Sequence, residues 1–165
     1  MTEQVFREIY AAHRDPLFRF AYRLTGSQST AEDLVHDCFV GLFRNGFDPK
    51  LGTIRTYLYS AVRNLTRKHY RDSGREYDLG ETDHVSVLES ALDSMVAHET
   101  AELVRFAIES LPPLQREALV LFEYEELSLE EVCAVVCADL AAVKSRLYRA
   151  RERLRKVLAP LREAA

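Results

Sequence analysis

Apolar residues recur every three or four positions along almost the whole chain, which is the period of amphipathic helices, and no stretch makes a convincing strand. Val5, Phe6, Ile9 and Tyr10, followed by Leu17, Phe18, Ala21, Tyr22 and Leu24, predict a first helix with Pro16 as the place for a bend. Thr30-Ala31-Glu32-Asp33 reads as the cap of a second helix, whose stripe of Leu34, Val35, Cys38, Phe39, Leu42 and Phe43 ends near Asn45-Gly46. Its other face carries Glu32, Asp33, His36, Asp37 and Arg44. The segment from Gly46 to Gly52 is rich in turn residues, and a third helix starts near Thr53 with Ile54, Leu58, Ala61, Val62 and Leu65 facing inward. These three helices predict a small bundle.

From Asp72 to about Ser94 the periodicity dissolves into Asp-Ser-Gly, Leu-Gly and scattered acids, which predicts a flexible linker. Helical spacing returns at Leu103, Phe106, Ala107 and Ile108, stops at Leu111-Pro112-Pro113, and restarts with Pro112 in the first turn of a helix ending near Glu123. Ser128-Leu129-Glu130-Glu131 has the residue types and spacing of a capping box, opening a short helix through Val132, Cys133, Val135 and Val136. After a break at Cys137-Ala138-Asp139, Asp139 caps a last helix carrying Val143, Leu147, Ala150, Leu154 and Leu158. A short helix, a tight turn and a long basic helix form the signature of a helix-turn-helix. The expected fold is all-α, in two small helical domains: an N-terminal bundle over 1–72, an acidic linker over 73–95, and a C-terminal four-helix domain over 96–165 with the helix-turn-helix.

Charge changes the picture. The net charge of −4 over 165 residues argues against nucleic-acid binding, yet the charge is segregated. Between Asp72 and Glu102 nine acids stand against the single base Arg75, whereas from Leu140 to Ala165 eight bases stand against two acids. A second basic run holds Arg55, Arg63, Arg67, Lys68 and Arg71. No run of about 18 apolar residues exists to span a bilayer, so no membrane insertion is expected. The start Met1-Thr2-Glu3-Gln4-Val5 lacks the basic and apolar stretches of a secretory signal, and three cysteines suit a reducing compartment; both point to the cytoplasm.

The last helix places Lys144, Ser145, Tyr148, Arg149 and Glu152 on a face that the leucine stripe leaves open, and only such a face can enter a DNA groove. The third helix interleaves Tyr57, Tyr59 and Tyr70 with Arg63, Asn64, Arg67, Lys68 and Arg71, the mixture by which rings stack on exposed bases while cations follow a single-stranded backbone. Plain packing is the competing reading for any one of these tyrosines. Cys133 and Cys137 are awkwardly placed for a disulfide within one helical turn, and zinc would need two further ligands that no nearby His or Cys supplies. With scattered histidines, no Gly-rich phosphate loop and no recognisable nucleophile motif, the expectation is a protein that is not an enzyme and has no metal site and no cofactor.

These residues together resemble an extracytoplasmic-function sigma factor of bacterial RNA polymerase, in the sigma-70 family, over nearly the whole length. The resemblance is carried by Tyr22-Arg23-Leu24-Thr25-Gly26, Ala31 through Phe39, Phe47-Asp48-Pro49 and Thr56 through Leu65. In the second half it is carried by Leu111 through Glu117, Leu127 through Val132 and Val143 through Leu154. It implies a factor that binds the polymerase core and directs promoter recognition, promoter melting and transcription initiation. The implied core contacts are Asp33, His36, Asp37 and Arg44. The implied contacts with the melted minus-ten element are Phe47, Tyr59, Arg63, Asn64, Arg67 and Lys68. The implied contacts with the duplex minus-thirty-five element are Ser145, Tyr148 and Arg149 toward bases and Lys144, Arg146 and Arg151 toward phosphates. Implied partners are the core polymerase through its beta-prime clamp and beta flap, promoter DNA and an anti-sigma factor.

The chain departs from the family pattern in having no tryptophan where Phe43 or Tyr57 stands, Cys137 at a turn position usually given to glycine, Ala141-Ala142 before Val143, and His36 where glutamine is common. Two rival readings are a sigma-like mimic that binds an anti-sigma factor and a stand-alone helix-turn-helix regulator. The basic face from Lys144 to Arg155 argues against the first, and the capped second helix with the tyrosine-rich third helix argues against the second.

Overall fold

A computed structural model of the chain describes residues 1–74 and 100–164, with side chains described through residue 160. Among the described residues there are seven α-helices and no strand, so the architecture is all-α.

Helix α1 (Glu3–Thr25) starts at Thr2, whose side chain accepts from Val5 N at 3.2 Å, and ends at Gly26, a left-handed residue whose N–H donates to the Tyr22 carbonyl at 2.7 Å. It runs unbroken through Pro16. Helix α2 (Gln28–Asn45) is capped by Ser27, whose hydroxyl accepts from Thr30 N at 3.2 Å. The cap expected at Thr30 therefore lies three residues too late. The connection between α1 and α2 is only Gly26 and Ser27, and the earlier hydroxyl takes the orphan N–H. A short 3-10 turn (Pro49–Leu51), capped by Asp48, leads to α3 (Ile54–Asp72), which starts next to Thr53 as expected and is capped by its side chain. The expected linker over 73–95 lies outside the described residues, apart from Ser73 and Gly74.

Helix α4 (Thr100–Glu109) is followed by α5 (Pro113–Leu119), which continues into a wider π turn over Val120–Tyr124. Pro112 is the cap residue and Pro113 occupies the first turn, one position later than expected. In α6 (Leu129–Val136) both halves of the capping box form, with Glu131 N donating to Ser128 Oγ at 3.1 Å and Ser128 N to Glu131 Oε1 at 3.0 Å. Cys137 ends α6 in the left-handed region (φ 53°), and Asp139 Oδ1 accepts from Ala142 N at 2.8 Å to start α7 (Leu140–Ala164).

The first three helices form one lobe and the last four another, and one continuous core joins them. Leu17, Phe20, Leu42, Leu58 and Val62 belong to the same buried cluster as Leu121, Val132, Val135 and Leu147. Each fully buried Leu, Val or Phe contributes about 1.5–3 kcal/mol relative to exposure. Across the seam α3 lies on α6, and α1 lies against α4 and α5.

Candidate nucleic-acid interface

Helix α3 carries two stripes of polar and aromatic side chains. Arg55, Tyr59 and Arg63 recur every four residues and therefore lie one above another on a single face. That face meets the second lobe. The Tyr59 hydroxyl donates to Glu125 Oε2 at 2.8 Å, Arg63 Nε donates to Glu117 Oε2 at 3.1 Å, and Arg55 donates to the Glu125 backbone carbonyl. Arg23 of α1 joins them, with its Nη1 3.4 Å from Glu125 Oε1 and its guanidinium 4.2 Å from the centre of the Tyr124 ring. Arg116 reaches back the other way to the Leu24 carbonyl (2.7 Å), one of the orphan acceptors at the end of α1. Tyr59 and Arg63 are only 3% and 4% exposed, so in this arrangement neither is open to a DNA strand.

The second stripe of α3 faces solvent. Asn64 and Lys68 are exposed, and Arg67, four residues beyond Arg63, is half-buried. Near the start of α3 the Phe47 ring leans on Tyr57 with centroids 5.4 Å apart, at the root of a loop whose tip, Leu51, is 84% exposed. Gly46 (φ 71°) and Gly52 (φ 132°) give that loop backbone turns that L side chains rarely adopt. Of the six residues expected at melted DNA, Asn64 and Lys68 are exposed, Phe47 and Arg67 are half-buried, and Tyr59 and Arg63 are buried at the seam.

In the second lobe, Val143, Leu147 and Ala150 bury one side of α7 and leave Lys144, Ser145, Tyr148 and Arg149 exposed, as the sequence led us to expect. Arg146 is half-buried, with one terminal nitrogen lacking a partner. Arg151 differs: its Nη2 is 2.7 Å from Glu123 Oε1 and its guanidinium covers the Phe122 ring, which ties α7 to the π turn.

A third surface lies between α1 and α2. Asp33, His36 and Arg44 line a groove floored by Phe6, Tyr10, Phe39 and Phe43, while Asp37 is exposed nearby. Tyr10 and Phe39 meet at 4.9 Å and Phe6 and Phe43 at 5.4 Å, yet Phe43 remains 66% exposed. Sequence periodicity assigned Phe6, Tyr10 and Phe43 to the core and so missed this aromatic floor. The buried acids Glu117 and Glu125 were also missed, since no local pattern marks them.

Burial sets the chemistry of three side chains. Burial raises the Tyr59 phenol well above the ordinary tyrosine range, and its hydrogen bond to Glu125 adds to the shift. Burial pushes the Cys38 thiol up to about 12. Burial and then the charge of Arg55 lower His13.

Among known families, the chain matches Sigma-70 region 2 over residues 9–76 and Sigma-70 region 4 over residues 101–154. It is 32% identical over 160 residues to the ECF RNA polymerase sigma factor EcfG of Rhodopseudomonas palustris, covering 96% of this chain and 87% of that protein. The chain belongs to the ECF sigma factors. It is 34% identical over 160 residues to the sigma factor SigE of Mycolicibacterium smegmatis, covering 92% of this chain and 61% of that longer protein. The structure of CnrH in complex with the cytosolic domain of CnrY aligns with a TM-score of 0.69 at 25% identity, over 99% of this chain and 92% of that one. The sigma factor RpoE of Bartonella quintana, in complex with the anti-sigma factor NepR, aligns at 0.74 and 23% identity, over 94% and 98%. As an alternative sigma factor the chain directs transcription initiation. Region 2 spans α1 to α3 apart from the first residues of α1, and region 4 covers α4 to α6 and the first half of α7.

Proposed function

We propose that the two lobes divide promoter recognition on the surface of core RNA polymerase. Domain 1–72 docks on the clamp through the α1–α2 groove, with Asp33, His36, Asp37 and Arg44 supplying charge around its aromatic floor. The same domain captures the melted minus-ten strand with Phe47, Asn64, Arg67 and Lys68, joined by Tyr59 and Arg63 once the second lobe moves away. Extruding a base costs a few kcal/mol, which stacking on Phe47 or Tyr59 and pairing of phosphates with the cations offset. Domain 96–165 reads the minus-thirty-five duplex by laying α7 in the major groove, Ser145, Tyr148 and Arg149 toward bases, Lys144, Arg146 and Arg151 toward phosphates. The linker over 73–95 joins them. The factor performs no covalent chemistry of its own and works in the cytoplasm, and an anti-sigma protein is its natural restraint. Among the described residues no helix is long and apolar enough to cross a membrane.

The observation that carries this reading is a pair of exposed polar faces that include cations, one on each matched region: Asn64 and Lys68 on α3, and Lys144, Ser145, Tyr148 and Arg149 on α7. Two variants test the division of labour in reconstituted holoenzyme. Arg149→Ala should weaken binding of the minus-thirty-five duplex by about 1–3 kcal/mol and leave core affinity unchanged. Asn64→Ala should lower permanganate reactivity of the melted thymines and leave duplex affinity unchanged. Equal loss of core affinity in Arg149→Ala, or unchanged melting in Asn64→Ala, would reject the assignment.

A further inference from the structure

A cavity of about 470 Å³ opens between α1 and α4, and none of its lining residues is among those assigned above to polymerase or DNA. Small-molecule sites have volumes of about 300–1,000 Å³, mostly apolar walls and a few polar groups that fix orientation. This cavity has that make-up. Phe18 of α1 and Val104 and Ile108 of α4 line it together with Tyr22 and Tyr124. Arg19, Arg23 and Arg105 bring three guanidinium groups to the same walls, where among the described residues Glu109 is the one carboxylate.

These charges do not cancel. Arg23 stacks its guanidinium 4.2 Å from the centre of the Tyr124 ring and has Nη1 3.4 Å from Glu125 Oε1. Arg105 donates from Nη1 to the Tyr22 hydroxyl at 3.2 Å, and its Nε is 3.9 Å from Glu109 Oε1. Arg19 is exposed and has no hydrogen-bond or ion-pair partner among the described residues. With Arg23 matched by Glu125 and Arg105 by Glu109, Arg19 leaves one uncompensated positive charge beside an apolar interior. The ligand that complements both is a singly charged anion with an apolar tail. Shape narrows the class further. The lining stretch of α4, from Thr100 to Glu109, is about 14 Å long at 1.5 Å per residue, so an extended chain suits it better than a compact ring system.

We propose that the α1–α4 cavity binds a fatty acid or a similar acyl carboxylate, with its chain along Phe18, Val104 and Ile108 and its carboxylate at Arg19. Helix α1 belongs to the region 2 match and α4 to the region 4 match, so such a ligand touches both regions at once.

The test uses the full chain with decanoate below its micelle concentration. Decanoate should raise the unfolding midpoint in thermal melts, because a ligand that binds only the folded chain stabilises it by mass action. Decyltrimethylammonium, with the same tail and the opposite charge, should not. In titration calorimetry the affinity should rise about fourfold for each methylene added between octanoate and decanoate. Arg19→Gln should weaken decanoate binding about tenfold. Ala101→Phe, at an exposed position in the cavity wall, should fill the space and abolish binding with circular dichroism unchanged. Should that variant lose its circular dichroism, Arg19→Gln carries the comparison alone. No binding of decanoate, equal binding of the ammonium amphiphile, or unchanged decanoate affinity in either folded variant overturns the proposal. So does capture of an acidic amphipathic helical peptide in place of decanoate, which would make the cavity a protein-docking groove.

Discussion

Arg63 Nε and Glu117 Oε2 meet at 3.1 Å across the seam between the lobes, with 4% and none of their side chains left exposed. Such a pair gains less than its geometry suggests, because both ions give up hydration, yet losing one partner strands the other. Arg63→Met should therefore destabilise the closed arrangement by about 3–5 kcal/mol, whereas Arg63→Met with Glu117→Leu should be near neutral. Urea unfolding of the three proteins checks this, and a double variant no better than the single one would contradict it.

Tyr59 gives a second, pH-dependent handle on the same seam. Burial and then Glu125 raise its phenol, so the folded state favours the neutral form, while the nearby Arg55 opposes the shift. The resulting stability is fully present below the ordinary tyrosine range near pH 10 and is lost as pH rises above it. Thermal melts between about pH 9 and 11 should fall more steeply for wild type than for Tyr59→Phe. Parallel curves would show that Tyr59 ionises as freely as an exposed tyrosine.

The three cysteines should react at very different rates. Cys38 is 3% exposed, its thiol is pushed up to about 12, and its Sγ lies 3.8 Å from the Leu58 carbonyl. Cys137 is exposed on the helix-turn-helix turn. Since the thiolate is the reactive form, iodoacetamide at neutral pH should label Cys137 first and leave Cys38 untouched in folded protein. Peptide mapping of the labelled chain checks the order, and early modification of Cys38 would contradict the packing of α2 on α3.

Cys137 also sits at φ 53°, where a Cβ is crowded by the backbone. Cys137→Gly should stabilise the protein by about 1 kcal/mol and Cys137→Val should destabilise it by more, as read from chemical denaturation. A loss of stability in the glycine variant would mean that the thiol itself holds the turn.

Features set by neighbouring residues were legible in the sequence. The Ser128–Glu131 capping box, the Asp139 cap and the exposed face of α7 depend on spacing within one or two turns, and each forms where its residue types place it. The start of α2 was misplaced because Thr30, Glu32 and Asp33 mimic a cap while Ser27, crowded against the end of α1, provides it. The seam was not legible. Glu117 and Glu125 find partners 54 and 66 residues away, and a tyrosine at position 59 has the same helical spacing whether it faces a base or a carboxylate.

The most direct measurement of the central claim is mapping of transcript 5′ ends made by core RNA polymerase on genomic DNA with and without the chain. Starts that appear only with the chain, each preceded by the same two separated sequence elements, are the predicted result. An unchanged pattern of starts, with the chain failing to bind the core, would contradict it.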